Sequence, residues 1–311
     1  MEEAKSIPLS AHELRDAVRH GQRVDYSRLD RILRPEDRGL IEVQAGVRWQ
    51  AIAELLRPGD QASAAASSRA TMRTIGESVA RNAAGPDGRP VIDHIESLTL
   101  VTPDGELRRV NRLAQGALFA LAIGGQGLFG ALYSATLRVK SLLRSADETI
   151  QAQPPARSAD ACALQLLLPP DVLDGFVAEA RERCGQWRVA VEAVEVRQTL
   201  AEGETFLRWA HRTYSEVSLR LGALRTIGGA VRATQLRREL IDAALAAGGS
   251  FSIAHTPDAT RGQVAACYPQ LPAFLAEKRR IDPAEKVVNA WYLHHRSLFS
   301  REGCASRWNA T

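Results

Sequence analysis

Apolar and polar positions follow two periods along this chain, and the periods divide it into elements. In RWQAIAELLR, Trp49, Ile52, Leu55 and Leu56 recur at the spacing of one helix face, and Pro58-Gly59 ends the run. Ser10 with Glu13 makes a capping-box pattern ahead of LRDAVRH, which predicts a short helix there. LIEVQAGV is an apolar, β-branched run ending in Gly46 and predicts a strand. HIESLTLVTPDGELRRVN predicts a hairpin: Ile95, Leu98 and Leu100 lead into Pro103-Asp104-Gly105, and Leu107 and Val110 return. ALFALAIGGQGLFGALYSATLRV predicts an apolar helix, a glycine turn and a strand.

Beyond Val139 the pattern changes. SADETIQAQPPARSAD is polar, contains Pro154-Pro155 and is a candidate boundary. After it, ALQLLLP and VAVEAVEV predict strands around a helix in DVLDGFVAEARERC. TQLRRELIDAALAAGG predicts a helix closed by Gly248-Gly249, SFSIAH a strand, and LPAFLAEKRRIDP a helix stopped at Asp282-Pro283. Strands alternating with helices point to an α/β or α+β second unit.

Composition narrows the class. The 311 residues are 45% hydrophobic and 24% charged, as in an ordinary globular protein of one large or two medium domains. No apolar run approaches the ~20 residues of a membrane span, and MEEAKSIPLS has no apolar core of a secretory signal, so the expected location is cytoplasmic. The net charge of +4 is spread among acidic residues without a basic, aromatic-studded stripe, which argues against nucleic acid as a partner. Cys162, Cys184, Cys267 and Cys304 are far apart, which argues for buried thiols rather than a metal site or disulfide framework.

Two segments carry candidate chemistry. IGGQGLFG places glycines at 124, 125, 127 and 130, where backbone N–H groups can approach a ligand. GxGxxG can be read from Gly125, but helix precedes it and strand follows, the reverse of the dinucleotide fingerprint. TIGESVARNAAG offers Thr74, Gly76, Ser78 and Asn82, and ASAAASSRATMRTIG before it reads as a loop lying against something flat or charged. From the residues alone, a plain helix-to-strand turn and a capped helix start remain equal readings of these two segments.

The order of these parts resembles the FAD-linked oxidases, the vanillyl-alcohol oxidase or PCMH-type flavoproteins. Within that family it looks most similar to sugar, alditol and aldonolactone oxidases and decaprenylphosphoryl-ribose oxidases. The resemblance rests on Thr74–Gly76, Asn82–Gly85, Ile95–Gly105 and Gly124–Gly130, and on a closing segment with Tyr-Pro, Lys-Arg-Arg and Asp-Pro landmarks. It implies an α+β fold: a truncated PCMH-type FAD-binding domain over residues 1–145, an α/β substrate (cap) domain over 146–285, and a segment 286–311 returning to the first. It also implies that Ser67, Ser68, Thr74, Ile75, Gly76, Ser78, Asn82, Gly85, Gly124, Gly125, Gly127, Gly130 and Leu132 surround FAD. His255, at the end of a predicted strand, and Arg280 are the residues the resemblance brings towards flavin and substrate.

Three departures accompany the resemblance. The family's glycine-rich pyrophosphate loop is missing, because ELRDAVRHGQRV runs directly into DYSRLDRIL; the family's Gly-Gly pair is Gly76-Glu77; and its Asn-x-His-Gly histidine is Ala84. Each charge-assisted bond lost with that loop is worth roughly 1.5–3 kcal/mol, and the tethering histidine lies in the same loop, so the flavin is expected to be noncovalent. Glu77 either repels phosphates or complements a helix dipole. The expected activity is FAD-dependent oxidation of a hydroxyl group on a sugar, polyol or lactone-like small molecule. The alternative is a degenerate, non-catalytic homologue acting as a scaffold or partner subunit without FAD. A protein partner or homo-oligomer fits either.

Overall fold

The computed structural model describes residues 5–37, 39–56, 73–84, 88–142, 162–222, 226–254 and 256–300. The chain opens with β1 (Lys5–Ser6), α1 (Ala11–Arg19) and β2 (Arg23–Val24), with β1 and β2 paired in parallel. Ser10 caps α1 by accepting from the Glu13 N–H at 3.3 Å, while the Glu13 carboxylate takes the Leu9 N–H at 2.9 Å. The capping pattern therefore starts the helix where the sequence places it.

The first sheet is antiparallel, in the order β3 (Ile32–Asp37), β4 (Leu40–Gln44), β7 (Ala131–Arg138), β5 (Ile95–Val101) and β6 (Leu107–Asn111). Alternation along its strands separates two faces. Ile41, Val43, Leu98, Ala135 and Leu137 point into a core closed by α2 (Trp49–Leu56), α3 (Ile75–Arg81) and α4 (Gly116–Ala122). On the opposite face Ser134 bonds Glu42 at 2.7 Å and Ser97 bonds Thr136 at 3.1 Å. The β5–β6 hairpin closes through the Gly105 N–H to Thr102 O at 2.7 Å, with Gly105 at φ +81°. Gly46, after β4, has no room for a side chain: a Cβ there would lie 2.1 Å from the Tyr26 carbonyl oxygen. That clearance lets residues 26–29 lie directly against the chain at the end of β4, where the Gly46 N–H donates to Leu29 O at 2.7 Å.

The second sheet is also antiparallel, in the order β11 (Ser250–Phe251), β8 (Cys162–Leu168), β10 (Tyr214–Leu221) and β9 (Val191–Thr199). Its apolar face, with Leu164, Leu166, Val217 and Leu219, packs on α5 (Leu173–Gln186) and α6 (Ile227–Ala246). The second unit is thus α+β, which corrects the α/β expectation: β9 runs into β10 with no helix between them, and every strand pair is antiparallel. SFSIAH is strand only at Ser250–Phe251, because the chain turns at Ile253, whose N–H goes to the Tyr268 hydroxyl at 3.3 Å. The chain ends with α7 (Arg261–Cys267), α8 (Leu271–Ile281) and α9 (Ala290–Phe299). Cys184 and Cys267 are buried thiols. The polar boundary stretch at 145–160 lies outside the described residues.

The two units share a core. Leu121, Leu128 and Phe129 from the first unit enter the apolar cluster of the second, and Phe129 meets Phe274 edge-on at 5.0 Å. Hydrogen bonds from Leu200 N–H to Gly88 O (2.8 Å) and from Phe206 N–H to Ala120 O (3.0 Å) fasten the 200–210 loop to the first unit. This joint fixes the walls of the cleft described next.

Candidate functional site

A cleft of about 1530 Å³ runs between the first sheet's helix side, residues 21–30, the 126–132 turn and the 286–293 segment. It exceeds the range of roughly 300–1,000 Å³ usual for small-molecule pockets. Phe129, Leu132 and Trp291 give it apolar walls, while Arg48, Arg81 and Lys286 bring positive charge. Lys5 also lines it but is paired with Asp25 at 2.7 Å. That bond, with the Ser27 N–H, holds the Asp25 carboxyl down at about 2.

Of the residues expected around FAD, Thr74, Gly76, Gly127, Gly130 and Leu132 line this cleft. Ile75 is buried in the core beneath it. The Ser78 hydroxyl is buried and accepts from Trp49 Nε1 at 2.8 Å. Asn82 ends α3 in a left-handed conformation (φ 47°), fully buried; its Oδ1 takes the Ile92 N–H at 3.2 Å and its Nδ2 donates to Glu202 at 3.3 Å. Ser78 and Asn82 therefore serve the fold: their polar atoms are spent on the chain itself. Gly124 and Gly125 sit behind the cleft wall, and a Cβ at Gly125 would lie 1.9 Å from Leu121 O, so its glycine is required by packing. Arg280 is exposed on α8 and pairs with Glu277 at 2.7 Å, away from the cleft. Ser67, Ser68, Gly85 and His255 lie outside the described residues.

Glu77 caps α3 and also lines the cleft. Its carboxylate takes the Thr74 N–H at 3.2 Å and its own N–H goes to Thr74 Oγ1 at 3.2 Å, a complete capping box on α3 at the cleft rim. Ala84 is buried in a bridge with Pro90.

Several groups at the cleft escaped the sequence reading. Tyr26 lines it half-buried and packs against the cores on both sides. Burial pushes its hydroxyl up to about 12, against a hydrogen bond from the Leu132 N–H that pulls the other way. Asn289 ties the closing segment to the glycine turn, donating from Nδ2 to Gln126 O at 2.9 Å and capping α9 through Oδ1 and the Tyr292 N–H at 2.9 Å. Residues 286–287 are held by Asp282, which accepts from the Lys286 and Val287 N–H groups at 3.0 and 2.9 Å and from Lys278. Burial alone would raise the Asp282 carboxyl; the Lys278 and backbone hydrogen bonds outweigh it and hold it below its ordinary range. Burial in turn lowers the Lys278 ammonium. The RRIDP letters signalled only a helix stop, because nothing in a sequence says that a lysine four residues upstream is fully buried.

The geometry defines a two-unit α+β protein with a large cleft between a glycine turn and a capped helix, lined by apolar side chains and by charges of both signs. Residues 10–111 match the family model described as an FAD binding domain, about a third of the chain. No curated protein matches the chain. The match supports an FAD-binding, oxidase-family protein with FAD as its cofactor. The cleft fits that group in volume, and Arg48, Arg81 and Lys286 are cations that could meet its phosphates, among the carboxylates of Asp25, Asp30, Glu54 and Glu77 in the same lining. Among the described residues no helix is long and apolar enough to cross a membrane.

Proposed function

We propose that the chain is an FAD-dependent oxidoreductase that oxidises a hydroxyl group of a sugar, polyol or lactone-like substrate. The observation that carries this reading is the coincidence of the cleft with the residues matched to the FAD binding domain: Thr74, Gly76 and Arg48 lie in both. When bound, FAD supplies an acceptor for the hydride of a hydroxyl-bearing carbon. The chain's part is to balance phosphate charge with Arg48, Arg81 and Lys286, and to offer the flat ring the apolar walls of Phe129, Leu132 and Trp291, which exclude water. The hydroxyl proton needs a base; by resemblance His255 stands nearest that role. Residues 146–285 act as the cap over the reacting face, and 286–311 return to the flavin unit.

A second reading, a non-catalytic scaffold or partner subunit, is favoured by one observation: the Leu132 N–H is engaged by Tyr26, and the Ser78 and Asn82 side chains are engaged by the chain. Titration of the purified chain with FAD, followed by flavin fluorescence, separates the two. Micromolar or tighter binding supports the oxidoreductase and opens a screen of sugars, polyols and lactones. No binding up to the solubility of FAD sinks it.

A further inference from the structure

Trp291, in the first turn of α9, lines the cleft, and its indole is fixed on three sides. Its Nε1–H donates to Ile253 O at 3.0 Å, and Phe274 on α8 meets it edge-on at 6.0 Å. The His295 imidazole stacks on it, with ring centres 4.2 Å apart and planes 29° from parallel. His295 stands one helical turn further along α9, the spacing at which side chains of one helix meet. Asn289 anchors the start of that helix, accepting the Tyr292 N–H and donating to Gln126 O in the glycine turn. A displacement of His295 is therefore felt at Trp291, and through it at the cleft wall.

The surroundings hold this imidazole neutral. Its Nδ1–H donates to Trp291 O at 2.8 Å, which leaves Nε2 as the basic nitrogen, buried and without a hydrogen-bond partner among the described residues. A proton taken up there creates a charge and a donor with nothing to receive either, the costly case for a buried group. The indole face attracts a cation, but it leaves the Nε2 edge unsatisfied. The charged side chains nearby are engaged elsewhere. Glu285 accepts from Arg296 and from the Tyr292 hydroxyl, Lys278 is paired with Asp282 under the Tyr292 ring, and Arg261 on α7 lies over Phe299 at 5.5 Å. The titratable group that faces His295 is His294, whose ring meets it edge-on at 5.0 Å, and a charge there opposes a second proton. Burial, with this smaller contribution, lowers the His295 pKa from 6.5 to about 4.

We propose that His295 is a positioning residue that holds Trp291 in the cleft wall only while its imidazole is neutral, so that protonation of His295 frees the indole and opens the wall. The consequence for a ligand rests on the oxidoreductase reading: FAD affinity falls under acid as its wall is lost. The contact itself does not depend on that reading. An opened His295 takes up a proton that the closed one refuses, so the ratio of open to closed forms rises about tenfold per pH unit on acidification below 6.5.

Hydrogen exchange of the Trp291 indole N–H measures the opening in the full chain without flavin, because that hydrogen is bonded to Ile253 O. The chain carries isotope-labelled tryptophan, Trp291→Phe identifies the signal, and the rates are divided by those of a free indole at the same pH. His295→Phe keeps an aromatic face and takes up no proton; His295→Ala removes the stack; each is checked for a cooperative melt. The expected result in wild type is protection that falls about tenfold per pH unit below 6.5 and does not respond to urea below the unfolding transition, as for a local opening. His295→Phe should give a level profile, and His295→Ala protection lower by about tenfold at neutral pH. Equal protection in wild type and His295→Ala overturns the proposal. So does exchange that rises with urea in step with global unfolding, which is what a merely stabilising residue gives. FAD titrations across the same pH range then test the consequence: wild type should lose affinity where His295→Phe does not, and parallel profiles overturn the link to the cofactor. If FAD does not bind at all, the oxidoreductase reading falls while the exchange result still decides the role of His295.

Discussion

Asp282→Ala tests whether the closing segment of the cleft is held by a buried ion pair. Lys278 is 0% exposed and Asp282 is 2% exposed, so removing the carboxylate strands an ammonium in the core and deprives the Lys286 and Val287 N–H groups of their acceptor. Breaking a buried pair from one side costs about 3–5 kcal/mol, largely because the remaining charge has no partner. That is a large part of the roughly 5–15 kcal/mol that holds a domain folded. The companion variant Asp282→Ala/Lys278→Met removes the stranded charge and leaves only the backbone donors, at about 1–3 kcal/mol each. Urea unfolding followed by tryptophan fluorescence reads both, since Trp291 lies in that segment. The single variant should be the less stable of the two. A single-variant loss below about 1 kcal/mol, or a double variant no better than the single, refutes the assignment of this pair as the clamp.

His295 is 1% exposed, donates from Nδ1 to Trp291 O at 2.8 Å, and has no partner for Nε2 among the described residues. Burial lowers its pKa from 6.5 to about 4. Between those values the unfolded chain takes up a proton that the folded chain refuses. Its contribution is therefore complete above pH 6.5 and falls by on the order of 3 kcal/mol as the pH drops to 4, and His295→Phe should flatten that part of a stability-versus-pH curve. Asn82→Ala orphans the buried Ile92 N–H and puts alanine at φ 47°, so denaturant melts should show a loss of about 1–3 kcal/mol; a neutral result would return Asn82 to the ligand side. Phe129→Ala empties the joint between the units and should cost about 3–5 kcal/mol in the same assay. Thr74→Ala should cost about 1 kcal/mol through the lost cap alone.

The sequence shows its local elements more readily than its site. Ser10 with Glu13, the Pro-Asp-Gly hairpin and the Ile52 helix face are readable because cap, turn and period are properties of neighbouring residues. One of the two interior strands of the second sheet, Tyr214–Leu221, is absent from the sequence reading although YSEVSLRL alternates; on the face opposite Val217 and Leu219, its Glu216 and Arg220 are charged yet buried, which no sequence pattern signals. α9 was likewise hidden, since Asn289 as its cap is visible only once its side chain is seen on the Tyr292 N–H. At the site, residue type located the right turn and helix but not the direction of each polar atom. Arg280 and Lys278 stand in the same short basic run, and only packing makes one exposed and the other buried.

How the cleft can hold its cofactor follows from which donors the fold has already used. The N–H groups of Ile75 and Gly76 go to Val47 and Ala45, and those of Gly124 and Gln126 go to Val79 and Ala80. The first pair ties the start of the capped helix to the turn after β4 and the second ties the helix to the glycine turn, so the N–H groups that look like a phosphate cradle are spent on the chain itself. The Gly127 N–H makes no backbone hydrogen bond among the described residues, and nothing lies within 4 Å of where its Cβ would be. Recognition in the cleft therefore shifts from backbone donors to side-chain charge, that of Arg48, Arg81 and Lys286. Charge attracts phosphate at longer range than a cradle of N–H groups does, but it fixes orientation less tightly and is screened by salt. Orientation then falls to the apolar walls, where Tyr26 and Leu132 already meet, and the strength of that contact decides whether a flavin ring finds a defined seat.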